Sequence, residues 1–236
     1  MKRLILILIS TLIISSCDEL QEVVNQLPQE TGISQTEIGA GLRQALDAGI
    51  DRQVQKLTQR DGFYKNDLVK IVLPEELQKV DIALRDIGLG NLADEGLKIL
   101  NRAAEDAVAE ATPIFADAVK TITFEDAKAI LLGSDDAATK YLSDRTQNAL
   151  YSKFSPVIQR SFDKVGADDI WNSIINNYNA IPFTKDVNPD LTDYVTSEAL
   201  NGVYTMIAIE EKKIRNNINS RTTDLLRKVF ALQDNL

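Results

Sequence analysis

From Ser34 to the C-terminus, apolar residues recur every three or four positions in one segment after another, and glycine, proline or a capping residue stands at the breaks. That period belongs to an α-helix with one buried face. Ser34-Gln35-Thr36-Glu37 has capping-box spacing, and Ile38, Leu42, Ala45, Leu46, Gly49, Ile50, Val54 and Leu57 come next on one side. A first helix running to Thr58 is predicted. Asp61-Gly62 predicts a turn, and Leu68 to Leu73 is apolar and β-branched enough for a short extended segment lying on the helices. Pro74 suits the first turn of a second helix that ends at Gly88. Asn91 predicts the N-cap of a long third helix carrying Leu97, Leu100, Ala104, Val108, Ala111 and Phe115, kinked or restarted at Pro113. Thr123 with Asp126, then Gly133, bracket a fourth, and Ser134, Asp135 and Asp136 open a fifth with acids at its positive end. Pro156 and Gly166 divide the next stretch, Asp168 or Asp169 opens a helix containing Trp171, and Pro182 and Pro189 bracket the longest later loop. A long helix from Leu191 to Ile218 bears Val195, Ala199, Val203, Met206 and Ile209, and Ser220 caps a terminal helix with Leu225, Leu226, Val229 and Phe230 inward. The expected architecture is all-α: a single multi-helix domain over 34–236 of about eight or nine helices, with one short extended segment near 68–73. The chain has no βαβ rhythm and no fixed-period repeat, which argues against nucleotide-binding sheets and solenoids.

The first 33 residues differ in kind. Lys2-Arg3, a largely apolar run from Leu4 to Ile14 and the small pair Ser15-Ser16 are the three parts of a secretory signal. The run is too short for a bilayer-spanning helix, which needs about 20 apolar residues. Cys17 is the one cysteine of the chain, and Ile14-Ser15-Ser16-Cys17 resembles the lipobox of bacterial lipoproteins. The resemblance implies that Cys17 is lipidated and becomes the mature N-terminus, so Cys17 is the expected membrane anchor. An ordinary cleaved signal with a spare thiol is the alternative. Residues 1–16 are therefore read as a lipoprotein signal peptide and 17–33 as a flexible tether broken by Pro28 and Gly32, with a reach of about 50 Å if fully extended. Asp18 after the cysteine resembles the signal that retains enterobacterial lipoproteins in the inner membrane. Sorting rules differ between lineages, and the outer membrane is the preferred expectation over the inner one.

Charge and missing residue types narrow the chemistry. The chain carries a net charge of −9, and losing Lys2 and Arg3 with the signal leaves 24 basic against 35 acidic residues, a net −11. Such a field repels nucleic acid and anionic head groups, so no nucleic-acid partner is expected and attachment falls to acyl chains. Lys212, Lys213 and Arg215 come after Glu210 and Glu211 and read as helix-surface pairs. The chain contains no histidine, which removes His-ligated zinc, Glu-x-x-His di-iron sites and nucleophiles that need an imidazole base. With Cys17 taken as anchor, thiol catalysis and disulfides go too. Carboxylates, lysine, tyrosine and hydroxyls remain, and no cofactor is expected.

Four local patterns bear on function. Gly88-Leu-Gly90-Asn-Leu-Ala93 fits the dinucleotide fingerprint by letter, but a helix is expected before it where that fingerprint needs a strand, so the glycines read as a helix stop. Ser161-Phe-Asp-Lys164 matches the Ser-x-x-Lys of penicillin-recognising enzymes, yet the chain has neither Ser-Asp-Asn nor Lys-Thr-Gly, and the match reads as chance. Asp186, Asn188 and Asp190 place oxygens at alternate positions as in a calcium loop, with Thr192 and Asp193 nearby. Leu191 stands where an EF-hand needs glycine and Ser197 where it needs glutamate, so a proline-bounded turn capping the next helix is the favoured reading. Asn101-Arg102-Ala-Ala-Glu105-Asp106 sits in the alanine-rich helix at three- and four-residue spacing. Buried, it would offer a carboxylate acid–base site with Asp126, Tyr194 or Arg215 as partners. A structural ion network or a set of solvated pairs is the favoured alternative.

The order of segments carries a resemblance. NRAAEDA at 101–107, TFEDAKAILLGSDDAATKYL at 123–142 and LTDYVTSEALNGVYTMIAIEEKKIRNNINSRTTDLLRKVF at 191–230 together resemble the bacterial family called domain of unknown function 4197. GLRQALDAGIDRQVQKL, DGF and LPEEL, between Gly41 and Leu77, resemble it as well. Asn217-Ile218 departs from the Asn-Pro of the family pattern. The resemblance implies a mostly helical, often exported envelope protein and supplies no catalytic residues.

Three functions are therefore weighed. The preferred one is a non-enzymatic, lipid-anchored binding or scaffolding module of the cell envelope with an envelope protein as partner. The second is a carrier of a small apolar ligand in a groove lined by Phe115, Phe124 and Met206. The third is a carboxylate hydrolase, which requires Glu105, Asp126 and Asp193 gathered within a few ångströms.

Overall fold

The computed structural model describes residues 32–234 except 74–77, 87, 89, 168, 170, 173–175, 177–178, 181, 184–185 and 187–189, and within helices it leaves out the side chains of 79, 80, 83, 84 and 92. The expected signal, anchor and nearly all of the tether lie outside the described residues, as does Pro74. One compact unit spans Gln35–Leu236. Its helices include α1 Gln35–Leu57, α2 Gln78–Asp86, α3 Gly90–Val108, α4 Ala111–Lys120, α5 Phe124–Leu131, α6 Ala137–Asp163, α7 Leu191–Asn216 and α8 Asp224–Asp234, with a 3-10 turn at Ile218–Ser220 before α8. No strand occurs among the described residues, and none of the described helices is long and apolar enough to cross a membrane.

α6 and α7 pack along each other, α3 packs against both, and α1 lies on α7 while holding α4, α5 and α8. The core arises from the apolar spacing. On α6, Ala138, Leu142, Thr146, Leu150, Phe154, Ile158 and Phe162 are buried, one every fourth residue. A four-residue step overshoots one turn by roughly 40°, so this row winds around the helix and meets different neighbours along its length. Full burial of Phe154 and Ile158 stabilises the fold by about 1.5–3 kcal/mol each. α7 buries Val195, Ala199, Val203, Met206 and Ile214 in the same core.

Several expectations are corrected. The extended segment near 68–73 pairs with no strand: residues 61–69 turn repeatedly and 70–73 run free of regular structure. Their apolar residues are nonetheless used, since Val69 and Ile71 are buried. The long third helix is two, α3 and α4, separated by Ala109 and Glu110, so the break comes before Pro113. Pro156 does not divide α6: it lies on the exposed face, as does Ser152, whose carbonyl loses its helical donor to the proline. α8 is capped by Thr223, whose Oγ1 accepts the Leu226 N–H at 3.2 Å, and Ser220 sits in the preceding turn. Ile209 is exposed rather than on the buried face of α7.

Other expectations hold. Thr123 and Asp126 form the reciprocal capping box of α5. Gly88 has φ +81°, the left-handed stop expected after α2, and α3 rather than a strand–helix turn comes after it. Close approach explains Gly202 on α7, where an added Cβ would stand 2.7 Å from the Phe63 ring.

Candidate functional site

The six residues of the expected polar network fall into three places. Asn101, Arg102 and Glu105 project from α3 onto the segment 61–72. Asn101 is wholly buried; its Oδ1 accepts the Ile71 N–H and its Nδ2 donates to the Ile71 carbonyl, both at 2.8 Å. The side-chain amide thus takes the place of a neighbouring strand, and a further bond to the Leu97 carbonyl at 2.7 Å fixes its orientation. Glu105, 4% exposed, accepts the Phe63 N–H at 3.1 Å and pairs with Arg102. Arg102 also reaches Asp61, which has φ +70° and a second cation, Lys65, at 2.9 Å. The Lys65 contact, ahead of Arg102, holds the Asp61 carboxyl below its usual range. Tyr194, from α7, donates to the Val72 carbonyl at 2.7 Å and stacks on Trp171. Four of the six residues therefore dock one irregular segment through backbone hydrogen bonds or an ion pair.

Arg215 and Asp126 stand at opposite ends of α5. Asp126 accepts the Thr123 N–H at 3.0 Å at the N-terminus, and this backbone bond, ahead of the Thr123 hydroxyl, holds its carboxyl below the usual range. Arg215, 3% exposed, donates to the carbonyls of Ile130 at 2.7 Å and Leu131 at 3.0 Å, where α5 ends. Its partner Glu211 accepts the N–H groups of Ala138 and Thr139, both at 2.8 Å, where α6 begins. A cation at a helix C-terminus and a carboxylate at the next N-terminus complement both dipoles, so one ion pair staples the turn between two helices. Glu210, Glu211 and Arg215 are buried, which corrects their reading as surface pairs; Lys212 and Lys213 do face solvent. The signal was present in the sequence, since Ile207 and Ile214 bracket position 211 at helical spacing on the apolar side.

The carboxylates needed by the hydrolase reading go to different elements. Asp193 accepts the Tyr151 hydroxyl, and chiefly through that bond Tyr151 is pushed up to about 12. Among the described residues no three acidic side chains come together as a metal site. Of the calcium candidates, Asp190 accepts the Asp193 N–H at 2.9 Å and caps α7, Asp186 is exposed, and Asn188 lies outside the described residues. The apolar groove expected from Phe115, Phe124 and Met206 is not assembled by them. Phe115 and Met206 are buried in the core, and Phe124 lines a shallow depression with Gln35, Thr36, Gly39 and Arg43.

Beside the Arg102 latch lies an open groove of about 630 Å³, formed by the loop after α1, the face of α3 that carries Glu95, Lys98, Arg102 and Asp106, and the end of α6. That volume falls within the range of small-molecule sites, about 300–1,000 Å³. Tyr64 stands in it with the Lys98 and Lys70 ammonium groups over its ring. Ser161 and Lys164 both line it, with the Ser161 hydroxyl donating to the Val157 carbonyl at 3.1 Å rather than to lysine. Sequence reasoning missed Arg60, Tyr64 and Lys65 as groove residues, because they lie in the irregular segment whose path is set by partners distant in sequence, Asn101, Glu105 and Tyr194 among them.

A family model described as "Protein of unknown function (DUF4197)" matches residues 32–231. No curated protein and no solved structure matches the chain.

Proposed function

The chain belongs to the DUF4197 family, and on that premise we propose that it is a lipid-anchored, non-enzymatic helical module of the bacterial cell envelope that binds or scaffolds another envelope component. The observation that carries this reading is the employment of the candidate catalytic groups: Asn101, Arg102, Glu105, Asp126, Tyr194 and Arg215 all bond to backbone groups or ion-pair partners that hold elements in place. A general acid or base needs a proton-accepting atom within reach of substrate, and Glu105 spends one oxygen on Phe63 and the other on Arg102. Surface recognition is left as the working principle. The lipobox-like Ile14-Ser15-Ser16-Cys17 supports the anchor, and the acidic balance of the chain supports attachment through acyl chains rather than through basic residues.

The purified full chain is expected to turn over no member of a panel of ester, glycoside, peptide and phosphate substrates. Turnover that disappears in Glu105→Gln or Asp126→Asn would overturn the reading. Crosslinking in the native envelope is expected to recover the same neighbour repeatedly from the wild type and to lose it in Cys17→Ser.

A further inference from the structure

The groove beside Arg102 runs against the charge of the molecule around it. Arg60, Lys65, Lys98, Arg102 and Lys164 line it against Asp61, Glu95 and Asp106, an excess of two positive charges in a chain whose net charge is −9. Low-dielectric walls concentrate such a local field, and it draws anions that the rest of the surface repels. Arg102 is held by Glu105, which lies outside the lining, and by Asp61 within it, and those contacts leave N–H groups on Nε and on each Nη uncommitted. The side chains of Arg60 and Lys164 have neither a hydrogen bond nor an ion pair among the described residues. The groove therefore presents one preoriented guanidinium fork and two unengaged cations along a single cleft. Guanidinium forks match tetrahedral oxyanions, and a phosphomonoester carries about −1.5 to −2 charges near neutral pH, close to the excess on the walls.

We propose that this groove binds a phosphoryl group, the chemistry shared by soluble phosphate esters and by anionic phospholipid headgroups. The inference deepens the binding-module reading and rests on it, taking the groove as a place of recognition. Arg60 and Lys164 are the primary contacts, Arg102 fixes the orientation of the anion, and Tyr64 packs against whatever the phosphate carries.

The test uses the full chain in detergent, titrated calorimetrically with glycerol 3-phosphate and separately with dihexanoyl phosphatidic acid, dihexanoyl phosphatidylcholine serving as the zwitterionic control. Saturable binding of glycerol 3-phosphate supports a soluble ester as the source, and binding of phosphatidic acid alone supports a headgroup. Arg60→Glu with Lys164→Glu is expected to weaken binding at least about tenfold, and the milder Arg60→Gln with Lys164→Gln pair to weaken it in the same direction. Lys153→Glu with Lys212→Glu changes the net charge equally on exposed positions outside the groove and is expected to leave affinity unchanged. Absence of saturable binding to either phosphate probe, equal binding of phosphatidylcholine, or equal weakening by both charge-reversed pairs would overturn the proposal. Failure here, with lipid still found on Cys17, would remove the phosphoryl site and leave the anchored-module reading standing.

Discussion

Asn101 carries more of the fold than its size suggests, because one amide satisfies both backbone groups of Ile71 in a segment with no strand beside it. Removing it orphans a buried donor and a buried acceptor, each costing about 1–3 kcal/mol. Asn101→Ala is expected to lower the urea midpoint and to make the Ile71 amide exchange with solvent rapidly; an unchanged midpoint with a protected Ile71 amide would contradict the strand-substitute role. Asp126 links stability to acid. Its carboxyl is held below the ordinary carboxylate range by the Thr123 N–H, so the stability it contributes is present above its unfolded pKa of about 4 and is lost as pH falls through the lower folded value. Asp61 and Asp234 share that direction, the first mainly through Lys65 and the second through Arg221. Denaturation at a series of pH values should therefore show stability falling below about pH 4, and less steeply in Asp126→Asn.

At the scale of elements, α6 shows both what the residue pattern states and where a local rule misleads. Proline inside a helix removes a hydrogen bond and crowds the preceding turn, so a boundary at Pro156 is the natural expectation. Yet Phe154, Ile158 and Phe162 continue the four-residue row begun at Ala138, and tertiary burial along that row outweighs the local cost. Pro156→Ala is expected to raise the unfolding free energy by up to about 3 kcal/mol without changing helicity, as read by urea denaturation and circular dichroism; destabilisation would show that the proline is required by packing. The caps of α5 and α7 were legible because Thr123, Asp126, Asp190 and Asp193 lie within a few residues of the helix starts they serve. The path of 61–73 was not, because its partners are distant in sequence: Glu105 and Asn101 on α3 and Tyr194 on α7. Apolar, β-branched composition alone reads as a strand, and only the helix that supplies its hydrogen bonds shows otherwise.

At the scale of the whole molecule, buried ion pairs join helix ends that the sequence separates widely. Glu211 and Arg215 tie α7 to the α5–α6 turn, and Arg221 closes the end of α7 through the carbonyls of Ile214 and Arg215 while pairing with Asp234. The i,i+4 spacing of Glu211 and Arg215 alone reads the same on a solvated face, and the flanking Ile207 and Ile214 are the sequence signal that sets position 211 on the buried side. The result is an acidic helical body whose buried ion pairs hold helix ends together and whose groove beside Arg102 carries a local positive excess, which the proposed reading takes as a place of recognition. Anchoring through Cys17 is the claim that gives this body a place to work. Its most direct measurement is incorporation of labelled palmitate in a bacterial host, with membrane fractionation of the wild type and of Cys17→Ser. The account predicts label on the wild-type chain in the membrane fraction and none on Cys17→Ser; an unlabelled wild-type chain, recovered mainly from cytosol or medium, would contradict it.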